Sequence, residues 1–121
     1  MDNPVKILIV EDDMIVAADV SMMLDKMNYE VSGITPRGED ALKSIESTRP
    51  DLVLMDIALK GQLDGIATAQ MIYDTCRIPV VFLTANADDD TFQRAKATKP
   101  YAFLSKPFRH SELQRAIELA L

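Results

Sequence analysis

Residues Val5–Asp13 read VKILIVEDD, an almost continuous apolar run that ends at three consecutive carboxylates. A short run rich in Val and Ile is typical of a strand that is buried on both faces of a parallel sheet. A second run of this kind, Leu52–Met55, ends at Asp56. We therefore expect both strands in the middle of one sheet, with acidic side chains at their carboxyl ends.

The rest of the chain alternates between strand-like and helix-like segments. Apolar periodicity, cap residues and turn residues divide the sequence into five segments of each kind. Strands are predicted at residues 5–10, 30–34, 52–56, 79–83 and 101–105. The first and fourth helices are predicted at residues 14–27 and 88–97. The second is predicted to start at a Thr35-Pro36 cap and to run through Ile45, and the third to start at Asp64-Gly65 and to run through Ile72. The last helix is predicted to start at a capping box formed by Ser111–Gln114. The alternation indicates βαβ units with right-handed crossovers and a parallel sheet covered by helices on both faces.

The hydrophobicity of the strands predicts their order in the sheet. Runs 5–10, 52–56 and 79–83 are the most continuously apolar, so they suit the centre of the sheet. The two other runs contain both polar and apolar residues, so they suit the edges of the sheet. This agrees with the order 2-1-3-4-5 of the flavodoxin-like doubly wound α/β fold. In that order, ligands bind between the carboxyl ends of the first and third strands, where the acidic residues lie.

The composition fits one globular α/β domain over residues 1–121. A net charge of −6 argues against direct binding to nucleic acid. The single cysteine, Cys76, cannot form an internal disulfide, and no apolar stretch reaches the ~18 residues of a membrane span. We therefore expect a cytoplasmic protein without membrane insertion or a signal peptide.

The acidic residues at the sheet edge point to a phosphoryl-transfer site. Crowded carboxylates repel one another and require a compensating cation, and oxygen ligands suit Mg²⁺. Thr84 ends the fourth predicted strand with a hydroxyl, and Lys106 follows the fifth with an ammonium group. Both groups can bind oxygens of a phosphoryl group on Asp56, and aspartyl phosphates are a known covalent intermediate. The pattern indicates Mg²⁺-assisted phosphorylation of Asp56.

Four short blocks give the chain a resemblance to a known family. Val10–Asp13, Met55-Asp56, Leu83–Ala85 and Lys106–Phe108 resemble the signature blocks of response-regulator receiver domains, each at the end of a predicted strand. The resemblance extends from residue 5 to residue 121. Four blocks in the right order are far more specific than any one of them.

The resemblance implies a role for each acidic residue of the site. It makes Asp56 the phosphoacceptor. It assigns the Mg²⁺ ligands, with Mn²⁺ as a substitute metal, to Glu11, Asp12, Asp56 and the backbone carbonyl of Ala58. Glu11 stands where the family more often has Asp, which suggests that this residue contacts the metal through water.

The resemblance also implies a conformational switch. It makes Lys106 the phosphoryl-contacting lysine, Thr84 the switch hydroxyl and Phe103 the switch aromatic. Movement of Thr84 after phosphorylation would make room for Phe103 and change the face formed by the fourth helix, the fifth strand and the fifth helix. The Lys106-Pro107 bond is expected to be cis on the same basis. Asn86 lies where it could influence hydrolysis of the acyl phosphate.

A receiver of this kind implies defined partners. The phosphoryl donor would be a sensor histidine kinase or a phosphotransfer protein, and a downstream protein would bind the switched face, with phosphorylation-dependent dimerisation left open. The domain would promote only its own phosphorylation and dephosphorylation rather than act as an enzyme. Segments 59–65 and 99–103 resemble receivers found beside sensor kinases more than receivers joined to winged-helix DNA-binding domains. A module excised from a larger hybrid kinase or regulator is therefore an alternative.

The loop before the fifth strand departs from the family pattern. Lys99-Pro100 replaces the Gly-Ala of most receivers, so this loop is expected to have its own shape.

Two other functions are compatible with the predicted fold. A phosphatase with an Asp nucleophile, of the haloacid dehalogenase type, would carry a second Asp two residues after the nucleophile, where this chain has Ala58. A flavin or nucleotide binder would need a Gly- or Ser/Thr-rich loop after the first strand, where Glu11–Asp13 would repel phosphate unless a metal intervened. Asp13 and Asp88–Asp90 are interpreted as helix caps rather than metal ligands.

Overall fold

Strands and helices alternate along the whole described part of the chain. The structure, a computed structural model, describes residues 4–59, 63–85 and 88–121. Its strands are β1 (Lys6–Val10), β2 (Glu30–Thr35), β3 (Leu52–Asp56), β4 (Val80–Thr84) and β5 (Ala102–Ser105). Its helices are α1 (Met14–Lys26), α2 (Gly38–Ser47), α3 (Gly65–Thr75), α4 (Asp89–Lys96) and α5 (His110–Ala120). All neighbouring strands are parallel and follow the order β2-β1-β3-β4-β5, so the predicted flavodoxin-like α/β fold and strand order are confirmed.

The three central strands are buried on both faces, as their continuous apolar sequences predict. Every residue of β3 is buried, and β1 and β4 are exposed only partly and only at one end. One face of the sheet packs against α2, α3 and α4 through a cluster that includes Leu8, Val53, Met55, Ala41, Ile45, Ile72, Phe82 and Ala95. The opposite face packs against α1 and α5 through a cluster that includes Ile7, Ile9, Leu52, Leu54, Val20, Leu24, Leu113 and Ile117.

The register of the central strands decides what meets at the carboxyl edge of the sheet. Val10 in β1 lies beside Met55 in β3, so the residues that follow them, Glu11 and Asp56, emerge next to each other. Asp56 lies beside Leu83 in β4, and Thr84 lies beside Ser105 in β5. One edge therefore carries the ends of four adjacent strands.

The predicted start of α2 is wrong. We expected Thr35-Pro36 to cap this helix, but Thr35 is the last residue of β2 and pairs with Val10. Its carbonyl accepts a hydrogen bond of 3.0 Å from the backbone N–H of Glu11, which keeps the segment extended. The helix begins at Gly38, after the exposed residue Arg37.

The predicted start of α5 is also wrong by two residues. The sequence suggested a capping box with Ser111 as the cap, whereas the helix begins at His110 after Arg109. The Glu112 carboxylate, in the first turn, accepts a hydrogen bond of 2.9 Å from the backbone N–H of Arg109. The caps predicted at Asp13 and Asp88 are confirmed, because each side chain accepts a backbone N–H of the following helix. Asp64, where the third helix was expected to start, caps α3 in the same way.

Gly65, the first residue of α3, lies too close to β3 for any larger residue. A Cβ atom at this position would overlap the backbone carbonyl oxygen of Asp56. Gly65→Ala is therefore expected to destabilise the fold by about 2 kcal/mol, since backbone rather than a flexible side chain would have to move. Urea unfolding measures this as a lower midpoint at an unchanged slope.

Gly33→Ala is the matched control for that substitution. A Cβ at Gly33 would meet the side chains of Leu8 and Ser44 at ordinary contact distances of 3.4 Å. We expect this variant to unfold near the parent midpoint. Equal midpoints for the Gly65 and Gly33 variants would contradict the close approach between α3 and the end of β3.

Among the described residues, every helix is too short or too polar to cross a lipid bilayer.

Candidate functional site

Three carboxylates meet at the carboxyl edge of the sheet. Glu11 and Asp12 directly follow β1, and Asp56 ends the neighbouring strand β3. One carboxylate oxygen from each residue lies within 4.8 Å of the corresponding oxygens of the two others. Glu11 is only 1% exposed and Asp56 only 5% exposed, whereas Asp12 lies nearer to solvent. The predicted convergence of the two strand ends therefore occurs.

An open cavity of about 300 Å³ lies over these carboxylates. Its lining brings together every site residue predicted from the strand ends, and Ala58 with them. The lining residues are Glu11, Asp12, Asp13, Asp56, Ile57, Ala58, Thr84, Ala85 and Lys106. The predicted switch residue Phe103 does not belong to the described lining.

The loop after β3 holds the Asp56 side chain in place. The backbone N–H of Ala58 donates a hydrogen bond of 3.0 Å to Oδ1 of Asp56. A hydrogen bond of this kind, to a carboxylate from its own following turn, fixes the side-chain rotamer. The Ala58 N–H therefore holds one carboxylate oxygen of Asp56 in a defined position beside the cavity.

Lys106 brings a positive charge to the cluster from the loop after β5. Its Nζ donates a hydrogen bond of 2.7 Å to Oε1 of Glu11 and lies 3.7 Å from Oδ1 of Asp56. The sequence placed this lysine beside Asp56, and the structure adds that its closer partner is Glu11. A single ammonium group therefore offsets part of the charge of two buried carboxylates.

Burial, and after it the neighbouring Asp56, raise the pKa of Glu11 from 4.5 to about 7, although Lys106 and the backbone N–H of Asp13 oppose the shift. The folded chain thus holds a proton that the unfolded chain, with a glutamate pKa of 4.5, gives up. This contribution to stability is full below pH 4.5 and is lost as the pH rises through about 7. Among the described residues, Lys106 is the one cation paired with the three carboxylates of the site.

Thr84 is the last residue of β4, and its side-chain hydroxyl lies beside the cavity. Its Oγ1 is buried and has no hydrogen-bond partner among the residues that the structure describes. A buried hydroxyl without a partner is costly, so such a group in a native site calls for an explanation. A ligand oxygen in the cavity would provide the missing partner.

Phe103 lies in β5, between two other aromatic rings. Its ring is stacked on Phe82 of β4 with a centroid distance of 5.6 Å, and it contacts Phe92 of α4 at 4.7 Å. Sequence reasoning identified Phe103 but missed Phe92, because helical periodicity in the polar segment 89–96 gave no reason to place that ring against β5. The predicted switch aromatic is therefore in direct contact with α4.

Two further predictions concern the flanking loops. The Lys106-Pro107 peptide bond is cis, as the resemblance implied. Asn86, which we expected to influence hydrolysis of an acyl phosphate, lies outside the described residues.

The donor set of this site fits a hard divalent cation. Three carboxylates offer only oxygen ligands, and their uncompensated charge would be relieved by a dication. Mg²⁺ keeps some of its water and binds through few carboxylates together with phosphate oxygens, so an open cavity suits it. The ammonium group of Lys106 and the hydroxyl of Thr84 provide donors for further phosphoryl oxygens.

A family of known proteins matches nearly the whole chain. The sequence model described as "Response regulator receiver domain" matches residues 7–118. Among curated proteins, the transcriptional regulatory protein PdtaR of Mycobacterium tuberculosis is 38% identical over 118 residues. That alignment covers 98% of this chain but only 57% of PdtaR, so the chain spans little more than half the length of this relative.

Solved structures agree with the sequence matches. The signal receiver domain of a modulated diguanylate cyclase from Desulfovibrio desulfuricans G20 is 40% identical, with a TM-score of 0.93, and the match covers 98% of this chain and 94% of that one. The receiver domain of the sensor histidine kinase PA1611 from Pseudomonas aeruginosa is 31% identical, with a TM-score of 0.88 and 98% coverage of both chains. The PA1611 structure has a magnesium ion coordinated in its active-site cleft.

Proposed function

The chain belongs to the response regulator receiver domain family, and from this membership we propose that residues 1–121 form one phosphorylation-switched signalling domain. In this proposal, Asp56 accepts a phosphoryl group from the phosphohistidine of a sensor histidine kinase or of a phosphotransfer protein. The observation that carries it is the cluster of Glu11, Asp12 and Asp56 within 4.8 Å, with Lys106 beside it. The fold alone would not support this function, since flavodoxin-like sheets carry many activities.

We assign Mg²⁺ to the acidic cluster. Its ligands would be the carboxylates of Glu11, Asp12 and Asp56 and the backbone carbonyl of Ala58, which also lines the cavity. When bound, the metal neutralises the carboxylates and the transferring phosphoryl group. The magnesium ion in the cleft of the PA1611 receiver supports this assignment, and Mn²⁺, which also prefers oxygen ligands, could substitute for it.

Each side chain of the site then has a role in the transfer. A carboxylate oxygen of Asp56 attacks the phosphorus, an O–P bond forms, and the N–P bond to the donor histidine breaks with its electrons remaining on the imidazole. The hydrogen bond from the backbone of Ala58 orients the nucleophile before the attack. Lys106 and Thr84 donate hydrogen bonds to the new phosphoryl oxygens, which gives the Thr84 hydroxyl the partner that it lacks.

The switch couples this event to the face formed by α4, β5 and α5. Because Thr84 lies next to Ser105 in β5, a shift of its side chain toward the phosphoryl group frees space near β5. Phe103 can turn into that space only if its contact with Phe92 changes, so α4 must respond. Phosphorylation shifts the population of the two states by its different interaction free energy with each.

The proposal includes partners and a cellular setting. A downstream protein would bind the α4-β5-α5 face, and the domain would not contact nucleic acid directly. The same face is also a candidate interface for phosphorylation-dependent dimerisation. Receiver domains are regulatory modules rather than enzymes acting on other substrates. We place the domain in the cytoplasm, either as a separate regulator or as part of a larger chain.

Mg²⁺ is expected to stabilise the domain against unfolding. At a concentration one hundred times its dissociation constant, a ligand that binds only the folded state adds about 2.7 kcal/mol. For a domain of this size, that raises the midpoint of thermal unfolding by roughly 10 °C. Asp12→Asn should remove most of this effect, because it deletes one of the three ligand carboxylates. Differential scanning calorimetry at pH 8 with Mg²⁺ or with EDTA measures both values.

Asp13→Asn is the matched control for the metal experiment. It also removes one carboxylate, but Asp13 caps α1 through hydrogen bonds to the backbone of Ile15 and Val16, and Asn preserves such a cap. This variant should keep the full stabilisation by Mg²⁺. If Mg²⁺ raised the unfolding midpoints of Asp12→Asn and Asp13→Asn equally, the proposed metal site would be wrong.

A further inference from the structure

A second cavity lies at the opposite edge of the sheet, near the amino ends of β4 and β5. It has a volume of about 220 Å³ and is lined by the end of α3 and by the loops that precede the two strands. We call it the basic notch, and its lining consists of Tyr73, Arg77, Ile78, Pro79, Lys99, Pro100 and Tyr101. Within the described part of the chain, two cationic side chains and no acidic side chain line the notch, although the whole chain carries a net charge of −6.

The two cations of the notch converge on one tyrosine. Cζ of Arg77 lies 4.5 Å from the centroid of the Tyr73 ring, and Nζ of Lys99 lies 5.5 Å from it. Both are cation–π distances, so one tyrosine ring contacts both charges of the notch. Neither side chain forms an ion pair with any residue in ranges 4–59, 63–85 and 88–121.

A third cation lies beside the notch. Arg49 donates a hydrogen bond of 2.8 Å to the backbone carbonyl of Cys76, the residue before Arg77. Neighbouring like charges repel one another, and a bound anion would relieve that repulsion.

The backbone adds an independent observation. Arg77 and Lys99 have φ angles of 58° and 55°, in the left-handed region that residues with a Cβ rarely adopt. Only one other non-glycine residue in the described part of the chain has a positive φ, and it is Asn28, a type that tolerates this conformation well. The chain thus places two cations at positions where Gly or Asn would fold more easily. A residue type that is unfavourable for its backbone conformation is expected where function requires that side chain.

We propose that the basic notch binds an acidic segment of a partner protein. Carboxylate side chains can pair with Arg77 and Lys99 in the lining of the cavity, while the exposed ring of Tyr101 offers apolar contact beside them. Tyr and Arg are among the residue types enriched at the hot spots of protein interfaces. A long polyanion such as nucleic acid fits less well, because the negative charge of the remaining surface would repel it. This site is separate from the phosphorylation site and does not depend on the proposed function.

The test uses a synthetic decapeptide of glutamate, added to the ¹⁵N-labelled protein at low ionic strength. Saturable chemical-shift changes are expected at the backbone amides of Arg77, Lys99 and Tyr101. Arg77→Asn combined with Lys99→Asn should weaken the apparent affinity about tenfold, since two exposed ion pairs are lost. Asn suits the left-handed backbone at both positions, so this double variant should fold at least as stably as the parent.

Arg37→Asn combined with Lys43→Gln is the matched control. It removes the same number of charges from exposed positions on and before α2, and Asn is a favourable cap at residue 37. This variant should bind the peptide within about twofold of the parent. Equal weakening of both double variants, or no saturable change at the notch, would show non-specific attraction and overturn the proposal. Inorganic phosphate competing for the same amides at equal concentration would also overturn it, since the notch would then be a small-anion site.

Discussion

Asp56→Asn is expected to abolish phosphorylation of the domain. The variant should show no phosphoryl adduct by intact-mass spectrometry after incubation with Mg²⁺ and a small phosphodonor, under conditions in which the parent gains one. The reason is chemical, because a carboxamide oxygen is a poor nucleophile and cannot form the mixed anhydride. The geometry singles out Asp56, since it is 5% exposed, is oriented by the N–H of Ala58 and lies beside Lys106.

Loss of the adduct will not result from unfolding of this variant. Among the described residues, the three carboxylates of the cluster have one lysine partner, so removing the Asp56 carboxylate relieves repulsion between like charges in the metal-free fold. Thermal unfolding in EDTA should therefore show a midpoint at or above that of the parent. Asp13→Asn serves again as control and should be phosphorylated normally. A single adduct of equal yield on Asp56→Asn would show that another residue is the phosphoacceptor.

Lys106→Met is expected to separate phosphorylation from the conformational switch. Methionine replaces the aliphatic part of the lysine but removes the ammonium group that lies 2.7 Å from Glu11 and 3.7 Å from Asp56. Without it, the new phosphoryl oxygens lose a charged donor, and the rate of adduct formation should fall roughly a hundredfold, as for other electrostatic groups of this kind. Given enough time, the adduct should still form.

The conformational part of this prediction is read by NMR. In the parent, phosphorylation should shift the backbone amides of Phe103 and Phe92, because the two rings are in contact and α4 must respond when the first one turns. In phosphorylated Lys106→Met these shifts should be largely absent. Lys43→Met, an exposed lysine substitution in α2, should leave both rate and shifts unchanged. Full shifts in the phosphorylated Lys106 variant would refute the role of this lysine in the switch.

The sequence was sufficient to predict the sheet and the meeting of the acidic residues. Continuous apolar runs can be satisfied only by burial on both faces, which placed β1, β3 and β4 in the centre. Once these strands are parallel neighbours, the residues that end them must share one edge. The positions of Glu11 and Asp56 thus followed from the apolar pattern and the strand order alone.

Helix starts were less predictable because tertiary contacts compete with local signals. Thr35-Pro36 is a good cap sequence, yet Thr35 extends β2 because its carbonyl binds the N–H of Glu11. Ser111 is likewise a good cap residue, but Glu112 reaches back to Arg109 and the helix begins earlier. In the first case a backbone–backbone hydrogen bond and in the second a side-chain–backbone hydrogen bond determines where the helix begins.

The sequence could not predict which side chains of the site contact one another. The strand ends placed Lys106 near the acids but could not show that Glu11, rather than Asp56, is its closer partner. The contact between Phe92 and Phe103 joins α4 to β5, and it depends on how the helix is rotated against the sheet. Both details are set by packing between elements that are distant along the chain.

The most direct test of the central claim is the intact mass of the parent protein after incubation with a small phosphodonor, once with Mg²⁺ and once with EDTA. We expect a single added phosphoryl group with Mg²⁺ and none with EDTA, because the three carboxylates repel a phosphodonor unless a cation neutralises them. An equal adduct in the presence of EDTA, or several adducts per chain, would contradict a Mg²⁺-dependent phosphorylation of Asp56.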